Sequence, residues 1–140
     1  MRVLVDTSAW VDFLNDFKSP AADALAELLR GDDDVCTCGI VAAEVFQGLR
    51  RDRGRDAIRR SFEDMIFLEP SGIRLYCRAA ELYRGLRERG RTVRSTVDCI
   101  VAAIAEEGAC DLLARDRDMD AILDSGLLKA GRWQPPSSRR

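Results

Sequence analysis

Val3-Leu4-Val5 is a wholly apolar run, two of its members β-branched, and a carboxylate, Asp6, stops it. Without a polar residue in the run, both faces of the strand must be covered, which places it inside an α/β sheet rather than on a half-wetted antiparallel one. Asp6 then stands at the strand's carboxyl end, where ligands bind in open α/β sheets. The next residues, Thr7-Ser8-Ala9-Trp10, begin a helix, so Asp6 can equally serve as that helix's N-cap.

Further short apolar runs, Val35-Cys36-Thr37-Cys38, Met65-Ile66-Phe67-Leu68 and Leu112-Leu113, are spaced along the chain. Between them the apolar residues recur at helical spacing. Helices are expected from Trp10 to about Ser19-Pro20, over Ala21 to Arg30, from Ile40 to about Arg51, from Ser71 to about Arg89, and over Ser95 to Glu107. Strands alternating with helices predict an α/β fold, a three-layer sandwich with a mostly parallel central sheet flanked by helices.

Three more acids occupy suggestive places. Val41, Val45, Gly48 and Leu49 mark the buried stripe of their helix, and Glu44 falls at its i+3 position. A carboxylate on an apolar face is costly unless paired, so Glu44 either meets a cation in a site or lies at the stripe's edge against an arginine. Asp98 lies in the first turn of the helix whose stripe is Val97, Ile100, Val101 and Ile104. Ser95-Thr96-Val97-Asp98 also has the form of a capping box. Leu112-Leu113 runs into Arg115-Asp116-Arg117-Asp118, repeating the opening arrangement, although alternating charges also suit a self-neutralised loop. The acidic turn Asp32-Asp33-Asp34 reads more simply as a solvated corner than as a metal site.

In a parallel sheet the carboxyl ends of neighbouring strands converge, so Asp6, Glu44, Asp98 and Asp116 can meet at one rim. At about 4 Å and an effective dielectric of about 20, each like-charge pair costs on the order of 4 kcal/mol. Such a meeting is tolerable only around a cation. The chain has no histidine. That excludes Ser-His-Asp and Cys-His catalysis, HExxH zinc hydrolysis and histidine-based ribonuclease chemistry. With oxygen donors only, Mg²⁺ is the expected ion and Mn²⁺ its plausible substitute.

The five cysteines are scattered and mostly embedded in apolar stretches, so they read as core residues of a reducing compartment. Twenty of the 22 basic residues are arginine, yet the net charge is −2. A globally basic nucleic-acid coat is excluded, and any phosphate contact must be local. The arginines between Arg50 and Arg60, or Arg115 and Arg117, are the candidates to hold a nucleic-acid backbone. No apolar run approaches a membrane span and the start is too soon charged for a signal peptide, which makes the cytoplasm the default.

Leu4-Val5-Asp6-Thr7-Ser8, Ala43-Glu44-Val45, the stretch from Arg94 through Asp98 to Ala105, and Arg115-Asp116-Arg117-Asp118, in this order and spacing, resemble the PIN-domain nucleases. Within them the likeness is to the VapC toxins of bacterial toxin-antitoxin pairs, and it covers residues 1 to about 130. The resemblance implies a PIN-like nuclease domain, taken over residues 1–133, and the residues after Trp133, 134–140, read as a flexible tail. It further implies Mg²⁺-dependent endoribonuclease activity on RNA, a homodimer, and neutralisation by a small cognate antitoxin protein whose tail enters the active-site groove. Carried over by position, Asp6, Asp98 and Asp116 are metal ligands, and Glu44 joins them in the catalytic set as a ligand or as the holder of a metal-bound water. Asp118 is an auxiliary acid, and Thr7 or Ser95 orients a carboxylate or binds phosphate. Ala114 and Met119 depart from the family, which often has Thr and Phe there. Two rivals remain on the residues alone: a non-catalytic acidic rim that binds a basic peptide, and an aspartate-based phosphotransferase. The latter needs a second Asp two positions after Asp6, where Ser8 stands.

Overall fold

A computed structural model describes residues 1–50 and 54–139. Strands β1 (Arg2–Val5), β2 (Asp34–Cys38), β3 (Ile66–Leu68) and β4 (Asp111–Leu113) form one sheet in the order β3-β2-β1-β4. Every pairing is parallel, with Leu4 opposite both Cys36 and Leu112 and Val5 opposite Leu113. β1 is thus central, and the Asp6 N–H extends its ladder by donating to the Leu113 carbonyl at 2.8 Å. Among the described residues seven α-helices flank the sheet: α1 (Thr7–Leu14), α2 (Pro20–Arg30), α3 (Gly39–Gln47), α4 (Arg55–Glu63), α5 (Ile73–Glu88), α6 (Thr96–Glu107) and α7 (Arg117–Asp124). This is the expected three-layer α/β architecture.

Val3, Leu4 and Val5 are fully buried, as an apolar central strand requires. The helical stripes expected from spacing also face the core, including Leu75, Ala79, Leu82 and Leu86 of α5 and Val101 and Ile104 of α6. Trp10, Phe46 and Phe62 form an aromatic cluster joining α1, α3 and α4, with the Trp10 and Phe62 ring centres 4.9 Å apart. No helix among the described residues is long and apolar enough to cross a membrane.

Several boundaries differ from the sequence expectation for tertiary reasons. α1 ends at Leu14, ahead of Ser19, which instead caps α2 by accepting the Ala22 N–H. α3 stops at Gln47 because Asn15, beyond the end of α1, donates through Nδ2 to the Gly48 carbonyl and accepts the Arg50 N–H. A Cβ at Gly48 would lie 3.2 Å from Val11 Cγ2, so the glycine permits the close approach of α3 to α1. Of the basic segment from Arg50 to Arg60, residues 51–53 lie outside the described residues. The remainder is largely α4, seated by buried Phe62, with Arg59 within 4 Å of Asp56 and Glu63, at 3.7 and 3.6 Å. The Asp32-Asp33-Asp34 turn is more than a solvated corner: Asp33 accepts from the indole N–H of buried Trp133 at 3.0 Å and faces the N-terminal ammonium at 3.4 Å. Trp133 in turn closes the outer edge of β4, where Leu112 bonds through its N–H to Gly131 and through its carbonyl to Trp133. Beyond it, Ser137 donates its N–H and hydroxyl to Glu27.

Truncating Leu4 to Ala at the fully buried centre of the sheet is expected to lower the unfolding free energy by about 3 kcal/mol. Ile66→Ala, at an edge position 37% exposed, is expected to cost about 1 kcal/mol. Urea unfolding of the two variants checks the ordering, and equal losses would contradict a core centred on β1.

Candidate active site

The carboxyl edge of β1 and β4 and the first turn of α6 bring three acids together. Asp6, Asp98 and Asp116 each contribute a carboxylate oxygen lying within 4.8 Å of the other two. They line a cleft of about 370 Å³ whose walls include Thr7, Ser8, Asp12, Glu44 and Arg115. Asp6 occupies the N-cap position of α1, but its side chain makes no capping hydrogen bond and instead accepts from the Ser8 hydroxyl at 3.0 Å. Ser8 Oγ accepts the Arg115 N–H at 2.9 Å, tying the end of β4 to the end of β1.

Asp98 resolves the capping question differently from expectation. Ser95 caps α6 by accepting the Val97 N–H at 3.1 Å, but Asp98 does not reach back to complete a box. Its carboxylate faces the cleft, and among the described residues no protein donor hydrogen-bonds it. Burial, then the charges of Asp116, Asp6, Asp118 and Glu44, push its pKa up to about 7. Asp6 is raised as well, chiefly by burial, against the lowering effect of the Ser8 hydrogen bond. Asp116 caps α7 through Oδ1, which accepts the Asp118 N–H at 2.9 Å.

The remaining expected residues are placed less uniformly. Glu44 lies in the same cleft, yet it is exposed at the border of the α3 stripe rather than within it. Its partner is not an arginine: Oε1 accepts the Thr7 hydroxyl at 2.8 Å. Asp118 is buried and stands outside the three-carboxylate group, its Oδ2 accepting both the backbone N–H and Nε of Arg94 at 3.1 Å. It therefore pins the segment entering α6 against α7. Ser8, Asp12 and Arg94 hold this arrangement without having been assigned site roles from sequence. Asp12, 8% exposed, receives Arg115 Nη1 at 2.9 Å. An acid amid Trp10-Val11 and Phe13-Leu14, one helical turn after Ser8, is the signal by which it could have been found.

The donor set fits a hard divalent cation. An ion with metal–oxygen distances of about 2.1 Å spans about 4.2 Å between opposite ligands, so oxygens within 4.8 Å of one another stand close to a shared coordination sphere. All three donors are oxygens, and Asp98 has no other source of positive charge bonded to it.

Residues 3–123 match the PIN domain, and the chain belongs to that family. Within it the chain is similar to VapC ribonuclease Mb1587 of Mycobacterium bovis and to ribonuclease VapC11 of Mycobacterium tuberculosis. Each is 32% identical over 121 residues, covering 86% of this chain and 90% of the relative. Among solved structures, VapBC2 from Rickettsia felis bound to a DNA fragment from its promoter shares the fold with a TM-score of 0.66 at 18% identity, over 96% of this chain and 100% of that one. VapBC-1 from nontypeable Haemophilus influenzae does so with a TM-score of 0.67 at 19% identity, over 96% and 97%. FitAcB from Neisseria gonorrhoeae gives 0.55 at 15%, over 95% and 97%.

A carboxyl group whose pKa is higher in the folded state favours folding most when protonated. The contribution of Asp98 is therefore fully present below about pH 4, its unfolded value, and is lost as pH rises through about 7. In chelator-treated protein, Asp98→Asn is expected to abolish this part of the decline and to exceed the wild type in stability at pH 8. Urea unfolding between pH 4 and 8 reads it, and a variant that tracks the wild type throughout would refute the assignment.

Proposed function

We propose that this chain is a Mg²⁺-dependent endoribonuclease, the toxin of a toxin-antitoxin pair, acting as a homodimer and held inactive by a small cognate antitoxin. The observation that carries the proposal is the convergence of Asp6, Asp98 and Asp116, with oxygens within 4.8 Å of one another, in a PIN-domain chain similar to named VapC ribonucleases. The VapBC structures that share its fold support the antitoxin partner.

Asp6, Asp98 and Asp116 would hold the ion. Bound there, a divalent cation supplies a lowered pKa to water and offsets negative charge on the phosphoryl oxygens. The chain's own part is positional. Ser8 fixes the Asp6 carboxylate, and the Asp116 side chain is fixed by the first turn of α7. Thr7 holds one oxygen of Glu44, leaving the other to accept a proton or a hydrogen bond at the cleft. Attack by water gives 5′-phosphate and 3′-hydroxyl ends, whereas attack by the RNA's own 2′-hydroxyl gives a cyclic phosphate.

Expression of the wild type is expected to arrest growth and to generate RNA fragments with 5′-phosphates. Asp6→Asn and Asp98→Asn are expected to reduce cleavage by about 100-fold or more, the scale of losing a group that stabilises developing charge, and to relieve the arrest. Sequencing of the fragment ends beside growth curves decides it. Cleavage that survives both substitutions, or cyclic phosphate ends, would overturn the mechanism.

A further inference from the structure

An acidic cleft poses a problem for a phosphodiester. Asp6, Asp12, Glu44, Asp98 and Asp116 all line it, and among the described residues Arg115 is the one basic side chain in that lining. Arg94 borders the adjoining hollow over Glu44, Asp98 and Asp116, 3.9 Å from Asp116, but its Nε is already committed to Asp118. Arg115 is also unusually well held for a residue of an exposed loop. Its N–H is on Ser8 Oγ at 2.9 Å, its Nη1 is on the buried carboxylate of Asp12 at 2.9 Å, and its guanidinium carbon lies 5.2 Å from the centre of the Phe17 ring. The side chain nevertheless stays 51% exposed, and among the described residues its Nε and Nη2 have no protein partner. The two tethers therefore fix where the guanidinium sits while leaving donors of the planar fork for an incoming anion. Arg117, with the same charge two residues away, is exposed and does not line the cleft.

Resting on the ribonuclease reading above, we infer that Arg115, held by Asp12 and Phe17, is a substrate-binding residue that grips a phosphate of the RNA beside the three-carboxylate site. Asp12 acts as a positioning residue: its buried charge is satisfied by one edge of the guanidinium, which keeps the other edge turned to the cleft. Phe17, 53% exposed, forms the other side of the clamp. Of the arginines that sequence alone offered as backbone holders, the geometry selects this one. A side chain fixed before the ligand arrives loses less conformational freedom on binding, so a single contact can matter measurably.

The test uses the full chain and a random-sequence single-stranded oligoribonucleotide pool with Mg²⁺ present. Arg115→Gln, which can still donate to Asp12, is expected to raise the apparent KM about tenfold, the scale of one charge-assisted contact, while kcat stays within about threefold. The salt dependence of kcat/KM should flatten by about 0.7 in log-log slope, the share of one phosphate on a single strand. Arg117→Gln, an identical change in net charge, should leave KM and the slope unchanged. Arg115→Lys, which keeps the charge and the Asp12 pair but loses the fork, should fall between wild type and Arg115→Gln and carries the test if the glutamine variant does not fold. The thermal stabilisation that Mg²⁺ gives the wild type should persist in both Arg115 variants. Equal KM effects at positions 115 and 117, a loss confined to kcat, or loss of the Mg²⁺ stabilisation would each overturn the inference. A wild type that leaves RNA uncut would remove the ribonuclease reading and this inference together, whereas a wild type that cuts RNA with KM indifferent to residue 115 would remove this inference alone.

Discussion

Mutual repulsion among Asp6, Asp98 and Asp116 is the constraint around which the fold is arranged. At an effective dielectric of about 20, two like charges about 4 Å apart cost on the order of 4 kcal/mol, a large part of an ordinary domain's stability. The oxygens are held within 4.8 Å of one another by the elements that carry them, and the repulsion is relieved in part by protonation, since burial and the neighbouring charges raise the Asp98 pKa to about 7 and burial raises that of Asp6. β1, hydrogen-bonded on both sides and fully buried over Val3 to Val5, fixes Asp6. β4 leads into the turn that carries Asp116, and α6, packed on α5 and α7, presents Asp98. Around this group stands a ring of small tethers. Ser8 joins Asp6 to the backbone of Arg115, Thr7 holds Glu44, and Asp118 binds Arg94 twice. Each tether connects elements remote in sequence, so the site's shape depends on the whole sheet being assembled.

The architecture was largely legible because its signals are local. Val3-Leu4-Val5 could only be a covered strand, and the Leu75, Ala79, Leu82 and Leu86 spacing could only be one helical face. The convergence of acids was legible for a topological reason: carboxyl ends of parallel strands share a rim, whatever the loops do. Helix ends were less readable, since the stop at Gln47 depends on Asn15, and α1 ends in a left-handed turn at Asp16, φ 57°, after which the Phe17 N–H bonds back to the Asp12 carbonyl. Spacing cannot report such bonds.

Within the site, the sequence distinguished poorly between acids that face the cleft and acids that brace it. Asp98 looked like half of a capping box, and only the geometry shows the carboxylate turned away from the helix end. Asp118 resembled another member of the acidic group but is occupied by Arg94. Asp12 is a single acid among apolar helix residues, and nothing near it in the chain identifies its partner. Its meaning appears when Arg115, 103 positions on, comes to lie against it. Pairwise bonds across such separations leave no periodic trace.

The isolated bridge that Gly131 to Trp133 forms against Leu112 has a bearing on how the sheet meets its surroundings. With Leu112 of β4 bonded on its outer side, the open edge among the described residues is β3, a short strand two places removed from β1. A foreign backbone seeking to extend the ladder would have to dock there, beside the partly exposed Ile66 and Phe67, and not next to the strands that deliver Asp6 and Asp116. Pairing at that edge would lie two strands away from the one that delivers Asp6.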